Sequence, residues 1–226
     1  MKKVILSFFC TSLFAGPPMH SSDPFVPALN EYEINIALSS ESGDETLYHA
    51  PIIDLNYGLV KDVQITLETA YTHTQVENDF DSFELAVKWN FYQDDFLSVA
   101  IYPKYVSYPV ESIFSHGEDY ELSIPVNIVL NKQIDLVIDT TYVMPFDGVN
   151  HFELGTYLKY KVQKHNYYIE IFMEEESYSF EFLSFGSVGY LYQFHENVAF
   201  MISYGVELMS RSSKATTGYT GLQFVF

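Results

Sequence analysis

The C-terminal stretch from Ala215 to Phe226 reads A-T-T-G-Y-T-G-L-Q-F-V-F and alternates in character. Successive side chains of an extended strand point to opposite faces, so every second residue shares a face. Leu222, Phe224 and Phe226 therefore form one apolar face that ends in an aromatic residue. We predict that this stretch is the last strand of a β-sheet.

The same period of two recurs through most of the chain from Tyr32 onward. Residues 83–91, F-E-L-A-V-K-W-N-F, separate their apolar side chains from glutamate, alanine, lysine and asparagine. Residues 63–74 and 120–130 alternate in the same way, and no segment has a convincing helix period. Alternation of this length predicts strands with one apolar face and one polar face.

The connections between these strands alternate in length. Short ones lie at residues 58–62, 92–95, 131–133, 162–166 and 195–197. The connections between them are generally longer and more polar, at residues 39–46, 75–79, 107–119, 144–150, 174–177 and 210–214. Short turns at one rim and longer loops at the other are typical of a membrane β-barrel.

The predicted fold is all-β: a transmembrane antiparallel up-and-down β-barrel of about 12 strands over residues 32–226. The strands run roughly nine to twelve residues, as tilted membrane strands require. An even number of strands places both termini at the short-turn rim. The predicted strands start near residues 32, 48, 63, 82, 96, 120, 134, 151, 167, 178, 198 and 215.

Aromatic residues support a membrane location for this barrel. Tyrosine and phenylalanine occur 19 times each, many of them near predicted strand ends. Rings with an apolar body and a polar edge suit the membrane–water interface. A soluble all-β protein with an aromatic core would also alternate. The N-terminal sequence, the terminal Phe226 and the asymmetry of the loops favour the membrane barrel.

The N-terminal residues 1–15 have the pattern of a secretory signal peptide. Lys2 and Lys3 precede a sustained apolar stretch from Val4 to Ala15. The cleavage site is not fixed by the residues around Ala15. Cys10 is the only cysteine, and we expect it to leave with the signal, so the mature chain has no disulfide.

Residues 16–31 form a proline-rich segment without periodicity. We predict a flexible periplasmic lead before the barrel. The alternative is that this segment folds into the barrel as a short plug.

The chain is acidic, with a formal net charge of −19. A surface that binds nucleic acid needs clusters of lysine and arginine, so this balance argues against nucleic acid as a partner. The acidity fits either solvated surfaces outside the membrane or an acidic lumen. Mean hydropathy is +0.01, and no internal run approaches the roughly 20 apolar residues of a membrane helix.

A signal-like start and a final strand that ends in an aromatic residue resemble the Gram-negative outer-membrane β-barrels. In that family the terminal aromatic is part of the signal read by the barrel-assembly machinery. The resemblance assigns this role to Phe226 and Phe224. It implies a protein of the cell outer membrane, with both termini in the periplasm and with lipid and the assembly machinery as partners.

Three phrases resemble the outer-membrane family named for the meta (MetA) pathway of phenol degradation, whose members are often called transporters. The phrases are residues 55–71, L-N-Y-G-L-V-K-D-V-Q-I-T-L-E-T-A-Y, residues 83–91, and residues 97–103, L-S-V-A-I-Y-P. Val60 and Lys61 replace the usual threonine of that family's turn, and Trp89 stands where tyrosine is common. The resemblance covers residues 50–145 and brings no catalytic residues. It implies passage of hydrophobic or aromatic compounds.

If the apolar faces meet lipid, the opposite faces line the interior. The acidic residues predicted to line the lumen are Asp54, Glu68, Glu84, Glu121, Asp135, Asp139, Glu153, Glu170, Glu181 and Glu207. The basic ones are Lys88, Lys104, Lys159 and Lys161. Charges in a narrow low-dielectric tube are weakly screened, so this excess of acids favours cations. Alternatively, the acids pair with lysine, tyrosine and asparagine and stiffen the barrel.

The width of the lumen follows from the strand count. Eight strands leave a filled interior and sixteen to eighteen leave a water channel, so twelve is intermediate. Inward Tyr102, Tyr157, Tyr168 and Phe172 would narrow it further. These features predict a constricted pore or a passage for small ligands, with a sealed structural barrel as the alternative.

The sequence gives little support for catalysis. His73 has no obvious serine partner, and we interpret it as a rim histidine. His116 lies in the loop 107–119 with two carboxylates, a group that lacks the spacing of a dedicated Ca²⁺ loop. The histidines are scattered and show no zinc spacing. We therefore predict no enzymatic activity, no metal and no cofactor.

The leading functional hypothesis is a monomeric, porin-like outer-membrane channel or transport barrel. It would pass small solutes, hydrophobic, aromatic or cationic, through a narrow acidic lumen. One alternative is a structural or adhesive barrel that acts through its extracellular loops. A second alternative is an outer-membrane hydrolase.

Overall fold

The chain forms a closed β-barrel in a computed structural model that describes residues 18–42, 46–73, 78–107, 118–146, 148–175, 182–209 and 215–226. The strands, in chain order, are β1 (Tyr32–Ser42), β2 (Thr46–Val60), β3 (Val63–His73), β4 (Asn78–Gln93), β5 (Leu97–Ser107), β6 (Glu118–Val129), β7 (Ile134–Pro145), β8 (His151–Val162), β9 (His165–Glu175), β10 (Phe182–His195), β11 (Val198–Glu207) and β12 (Thr216–Val225). Each strand pairs antiparallel with its chain neighbours. The prediction of an antiparallel up-and-down barrel of about 12 strands is confirmed.

Pairing of the first and last strands closes the barrel. The backbone N–H of Tyr32 donates to the carbonyl of Phe226 at 3.0 Å, and the N–H of Phe226 donates back at 2.9 Å. The ladder continues through Ile34 and Phe224 up to Ser42 and Thr216. Closure removes the free sheet edges that would otherwise leave backbone groups unpaired.

The barrel is apolar outside and polar inside, the inverse of a soluble protein. In β4, Trp89 is 52% exposed, whereas Lys88 beside it is only 4% exposed. Phe83, Leu85 and Val87 also lie on the exposed face. The predicted assignment of the two faces is confirmed for this strand. None of the described residues forms a helix long and apolar enough to span a membrane.

The strand boundaries follow the predicted pattern closely. Five strands (β1, β3, β7, β8 and β11) begin at the predicted residues. The predicted start of β4 at residue 82 is wrong, because its ladder with β3 continues through Tyr71–Phe80 to His73–Asn78. β10 begins at Phe182 in the structure, and residues 178–181, where its start was predicted, lie outside the described residues.

Three strands are longer than the predicted nine to twelve residues: β2 has 15, β4 has 16 and β10 has 14. Each contains at least one shift of register, as between His49 and Ile52 in β2 and between Asn90 and Tyr92 in β4. A bulge adds an unpaired residue to one strand, so the strand needs more residues to cover the same height.

The turns at the short-turn rim are tightly built. Residues 61–62 and 163–164 connect strands as turns, with positive φ at Asp62 and Gln163. In the turn between β4 and β5, the Asp94 carboxylate accepts a hydrogen bond from the Tyr92 hydroxyl at 2.6 Å. It accepts another from the backbone N–H of Leu97 at 2.8 Å. These bonds, that of Tyr92 first, lower the pKa of Asp94 below its usual value.

Phe226 allows the predicted assembly signal to be separated from barrel stability. Its side chain is 67% exposed, while its backbone makes the closing bonds with Tyr32. Phe226→Ala keeps those bonds, so we expect the unfolding free energy of the refolded barrel to change by less than about 0.5 kcal/mol. We expect the amount of folded barrel recovered from outer-membrane fractions to fall.

Leu222→Ala is the matched control, because Leu222 also faces outward on β12. An equal loss of assembled barrel in both variants would contradict a special role for the terminal residue.

Candidate functional site: the lumen

Most of the described part of the proline-rich segment lies inside the barrel, and residues 28–30 are exposed. We call residues 18–31 the inner segment. Ser21, Asp23 and Phe25 are buried within it. Of the two placements considered from the sequence, a free lead or a segment folded into the barrel, the structure has the second.

Two carboxylates of the barrel wall hold the backbone of the inner segment. Glu170 accepts the N–H of His20 at 3.2 Å and both the N–H and the hydroxyl of Ser21, at 2.8 and 2.6 Å. Asp139 accepts the N–H of Ser22 at 2.8 Å. A segment outside any sheet has no ladder partners, so these bonds satisfy backbone groups that would otherwise be buried unpaired.

Donors on β4 satisfy carbonyl groups of the same segment. The Asn90 amide donates to the carbonyl of Pro24 at 2.9 Å and to the Ser98 hydroxyl at 2.8 Å. The Lys88 ammonium lies 3.4 Å from the carbonyl oxygen of Phe25. The inner segment therefore makes hydrogen bonds to strands on opposite sides of the lumen.

Two glycines give the inner segment the room to approach the wall. A Cβ placed on Gly155 would lie 1.8 Å from the Ser21 hydroxyl oxygen. A Cβ placed on Gly58 would lie 1.9 Å from the backbone oxygen of Ala28. At Gly58 the atoms approached are backbone, so a side chain there would displace the segment, whereas at Gly155 the Ser21 side chain would have to shift.

Apolar and aromatic side chains fill the lumen beside the inner segment. Met19 and Tyr219 pack against a buried cluster formed by Val137, Tyr157, Tyr168, Leu191, Ala199 and Met201. The ring of His20 lies 5.2 Å from that of Phe172. The aromatic residues predicted to narrow the lumen, Tyr102, Tyr157, Tyr168 and Phe172, all lie buried inside the barrel.

The charged residues predicted to line the lumen alternate with the exposed face of their strands. Lys88, Asp135, Asp139, Glu170 and Glu207 are buried. The remaining described members are partly buried: Asp54, Glu68, Glu84, Lys104, Glu121, Glu153, Lys159 and Lys161. Glu181 lies outside the described residues.

Three of these carboxylates form a row across neighbouring strands. Asp54 is the register partner of Glu68, and Glu68 is that of Glu84. Like charges directly opposite each other are destabilising. Neutral donors offset part of this repulsion, since the Asn35 amide donates to Asp54 at 2.8 Å and the Tyr102 hydroxyl donates to Glu84 at 3.0 Å. We call these three carboxylates the acidic row.

Two lysines are engaged by acids elsewhere on the wall. Lys104 lies 2.9 Å from Glu121, and Lys161 lies 2.8 Å from Asp135. The Lys104 ammonium also sits 5.1 Å from the centre of the Tyr102 ring, within cation–π range. Part of the predicted pairing between acids and lysines is therefore present. Among the described inward residues, acids still outnumber lysines.

Sequence reasoning missed several inward polar residues. Glu33, Asp119, His151 and Glu174 are buried in the structure. The signal for Glu174 was available, because it lies four positions from Glu170 on one strand and so shares its face. His151 shares the inward face of β8 with Glu153 in the same way.

Of the two histidines considered for catalysis, the structure describes only His73. His73 is exposed, and its Nε2 lies 3.3 Å from the carbonyl oxygen of Ala50. Its ring packs edge-on against Tyr71 at 5.0 Å. Contacts of this kind are those of a structural rim histidine. His116 lies outside the described residues.

The fold is similar to that of solved outer-membrane channels. The NanC porin is 12% identical, with a TM-score of 0.66 over 84% of this chain and 98% of its own. The KdgM porin is 12% identical, with a TM-score of 0.62 over 85% and 99%. An outer-membrane channel from Pseudomonas putida F1 is 11% identical, with a TM-score of 0.64 over 93% and 99%. At these identities the likeness shows a shared barrel fold.

No protein-family model and no curated protein matches the sequence. The resemblance to the phenol meta-pathway family therefore stays a prediction, as does the absence of enzymatic activity.

The close approach at Gly155 gives a test of the inner segment's position. Gly155→Ala places a methyl group on the Ser21 hydroxyl, and such overpacking costs about 1–3 kcal/mol. Each 1.4 kcal/mol is about tenfold in an equilibrium. In a barrel carrying Ser22→Cys with Cys10 replaced by serine, we expect Gly155→Ala to speed maleimide labelling of the folded protein roughly tenfold.

Gly218→Ala is the control, because the nearest atom to its Cβ is the Ser40 hydroxyl oxygen at 3.1 Å. Rapid labelling before either substitution would show that the inner segment does not occupy the lumen in solution.

Proposed function

We propose that this protein is a monomeric outer-membrane channel that passes small cationic solutes through a narrow acidic lumen. The observation that carries the proposal is the closed barrel with an apolar exterior and an interior in which acids outnumber lysines. An apolar band around a closed barrel suits a lipid bilayer, because it leaves no free sheet edge.

The acidic row contributes negative charge to the lumen. Asp54, Glu68 and Glu84 lie side by side on β2, β3 and β4. Carboxylates on the wall of a narrow tube are weakly screened and raise the local concentration of cations. A solved structure of the KdgM porin contains oligogalacturonate, a polyanion. The acidic row would repel such a solute, so we propose a different solute class for this chain.

The acidic row and the carboxylates that hold the inner segment lie on different strands. Asp139 and Glu170, which hold the segment by its backbone, lie on β7 and β9. The acidic row lies on β2–β4, on the other side of the twelve-stranded ring. We infer that cations pass beside the acidic row, and that the inner segment, which also bonds to Lys88 and Asn90 of β4, sets the width of this path.

Conductance in planar bilayers tests this proposal. We expect the refolded mature barrel to give small, discrete, cation-selective steps, measured from the reversal potential in a KCl gradient. Deletion of residues 18–30 should increase the single-channel conductance, because it removes the material that narrows the lumen. Glu84→Gln should reduce cation selectivity, because it removes a charge from the acidic row.

Asp95→Asn is the matched control, since Asp95 is exposed in the turn after β4 and lies outside the lumen. Anion selectivity, or equal effects of the two substitutions, would contradict an acidic lumen as the source of selectivity. Silence from a folded barrel lacking residues 18–30 would overturn the channel and favour a structural barrel.

A further inference from the structure

A histidine and two glutamates meet on the inward face of β8 and β9, near the rim opposite the turns. His151 and Glu153 are two positions apart on β8 and share a face. Glu174 of β9 is the direct register partner of Glu153. We call these three residues the His-Glu-Glu cluster. They lie far apart in the sequence, and the pairing of the two strands brings them together.

The three side chains converge on one point. His151 Nε2 lies 3.6 Å from a carboxylate oxygen of Glu174 and 4.0 Å from one of Glu153. One ligand atom from each residue falls within 4.8 Å of the other two. His151 and Glu174 are buried, while Glu153 is partly open to the lumen. Three potential ligand atoms therefore lie close together, on residues of which one is partly open.

The orientation of His151 is fixed by its second nitrogen. Nδ1 lies 3.2 Å from the carbonyl oxygen of Val149, and a carbonyl can only accept, so Nδ1 carries the proton of this bond. In the neutral ring, Nε2 then presents its lone pair to the two carboxylates. Metal-binding histidines show this same arrangement, with the other ring nitrogen donating to a backbone carbonyl.

Two facing carboxylates and an imidazole lone pair repel one another, and a cation between them would remove the repulsion. We propose that the His-Glu-Glu cluster binds a divalent transition-metal ion of the zinc type. The imidazole nitrogen selects such an ion over Mg²⁺ and Ca²⁺, which prefer oxygen ligands alone.

The geometry requires only a small closure around the ion. Zinc lies about 2.0–2.2 Å from nitrogen and carboxylate oxygen ligands. Tetrahedral ligands at that distance are separated by roughly 3.4 Å, so the cluster must contract from its present spacing. The partly open Glu153 can supply that movement. Three protein ligands leave a fourth position, which would hold water.

Isothermal titration calorimetry of the refolded mature barrel with Zn²⁺ alone tests this proposal. We expect one tight site per barrel, unaffected by a large excess of Mg²⁺. His151→Ala and Glu174→Gln should each weaken it by at least about tenfold, since even groups that only orient ligands change affinity by 10–100-fold. Binding without stoichiometry, or binding that Mg²⁺ displaces, would overturn the proposal.

His49→Ala is the matched control, because His49 is also buried and its Nε2 lies 3.7 Å from the Glu41 carboxylate. We expect this variant to bind Zn²⁺ as tightly as the native barrel. Equal weakening by His49→Ala and His151→Ala would contradict a site at β8 and β9.

If the buried substitutions at His151 or Glu174 prevent folding, Glu153→Gln provides a second test. Glu153 is partly open and glutamine keeps its volume, so we expect this variant to fold. Zn²⁺ should raise the thermal unfolding midpoint of the native barrel and raise it less in this variant. Equal stabilisation of both would overturn the role of Glu153. The shift of the unfolding midpoint reports Zn²⁺ binding, so its outcome does not depend on whether the barrel conducts ions.

Discussion

Closure of the backbone ladder is the constraint on which the rest of this structure depends. A membrane offers no hydrogen bonds, so every strand needs two neighbours, and β12 must pair with β1. The mutual bonds of Tyr32 and Phe226 complete that ring. Once the ring is closed, the alternation of each strand fixes which side chains face outward. Trp89 is then exposed beside a buried Lys88, and the polar residues of the chain gather in the interior.

The need to satisfy backbone groups also explains why some interior carboxylates bind the inner segment, while others leave their charge available to a solute. The inner segment crosses the lumen without a ladder, so its backbone groups need partners from the wall. Glu170 and Asp139 accept its N–H groups, and Asn90 donates to one of its carbonyls. These wall residues hold the inner segment in place. An acid count from the sequence alone therefore overstates the charge that is available to a solute.

The sequence allowed the strands and their faces to be predicted, because alternation is a local pattern that each strand carries by itself. The bulges of β2 and β4 could not be predicted, since they depend on how neighbouring strands pair. Contacts of the inner segment join residues far apart in the chain, such as Ser21 and Glu170. The meeting of His151 and Glu174 depends on strand register in the same way. Spacing along the chain does not show such pairs, so the sequence alone predicted no metal site.

The acids of the barrel wall differ in the groups that they face. On β7 and β9, Asp139 and Glu170 accept N–H groups of the inner segment, and Asp135 is paired with Lys161. On β2–β4, Glu68 has a carboxylate as its register partner on both sides. A mobile cation lowers the energy of that arrangement more than it lowers the energy of an acid already bonded to N–H groups or to lysine. Under the proposed channel function, the acidic row is therefore the main source of the attraction for cations.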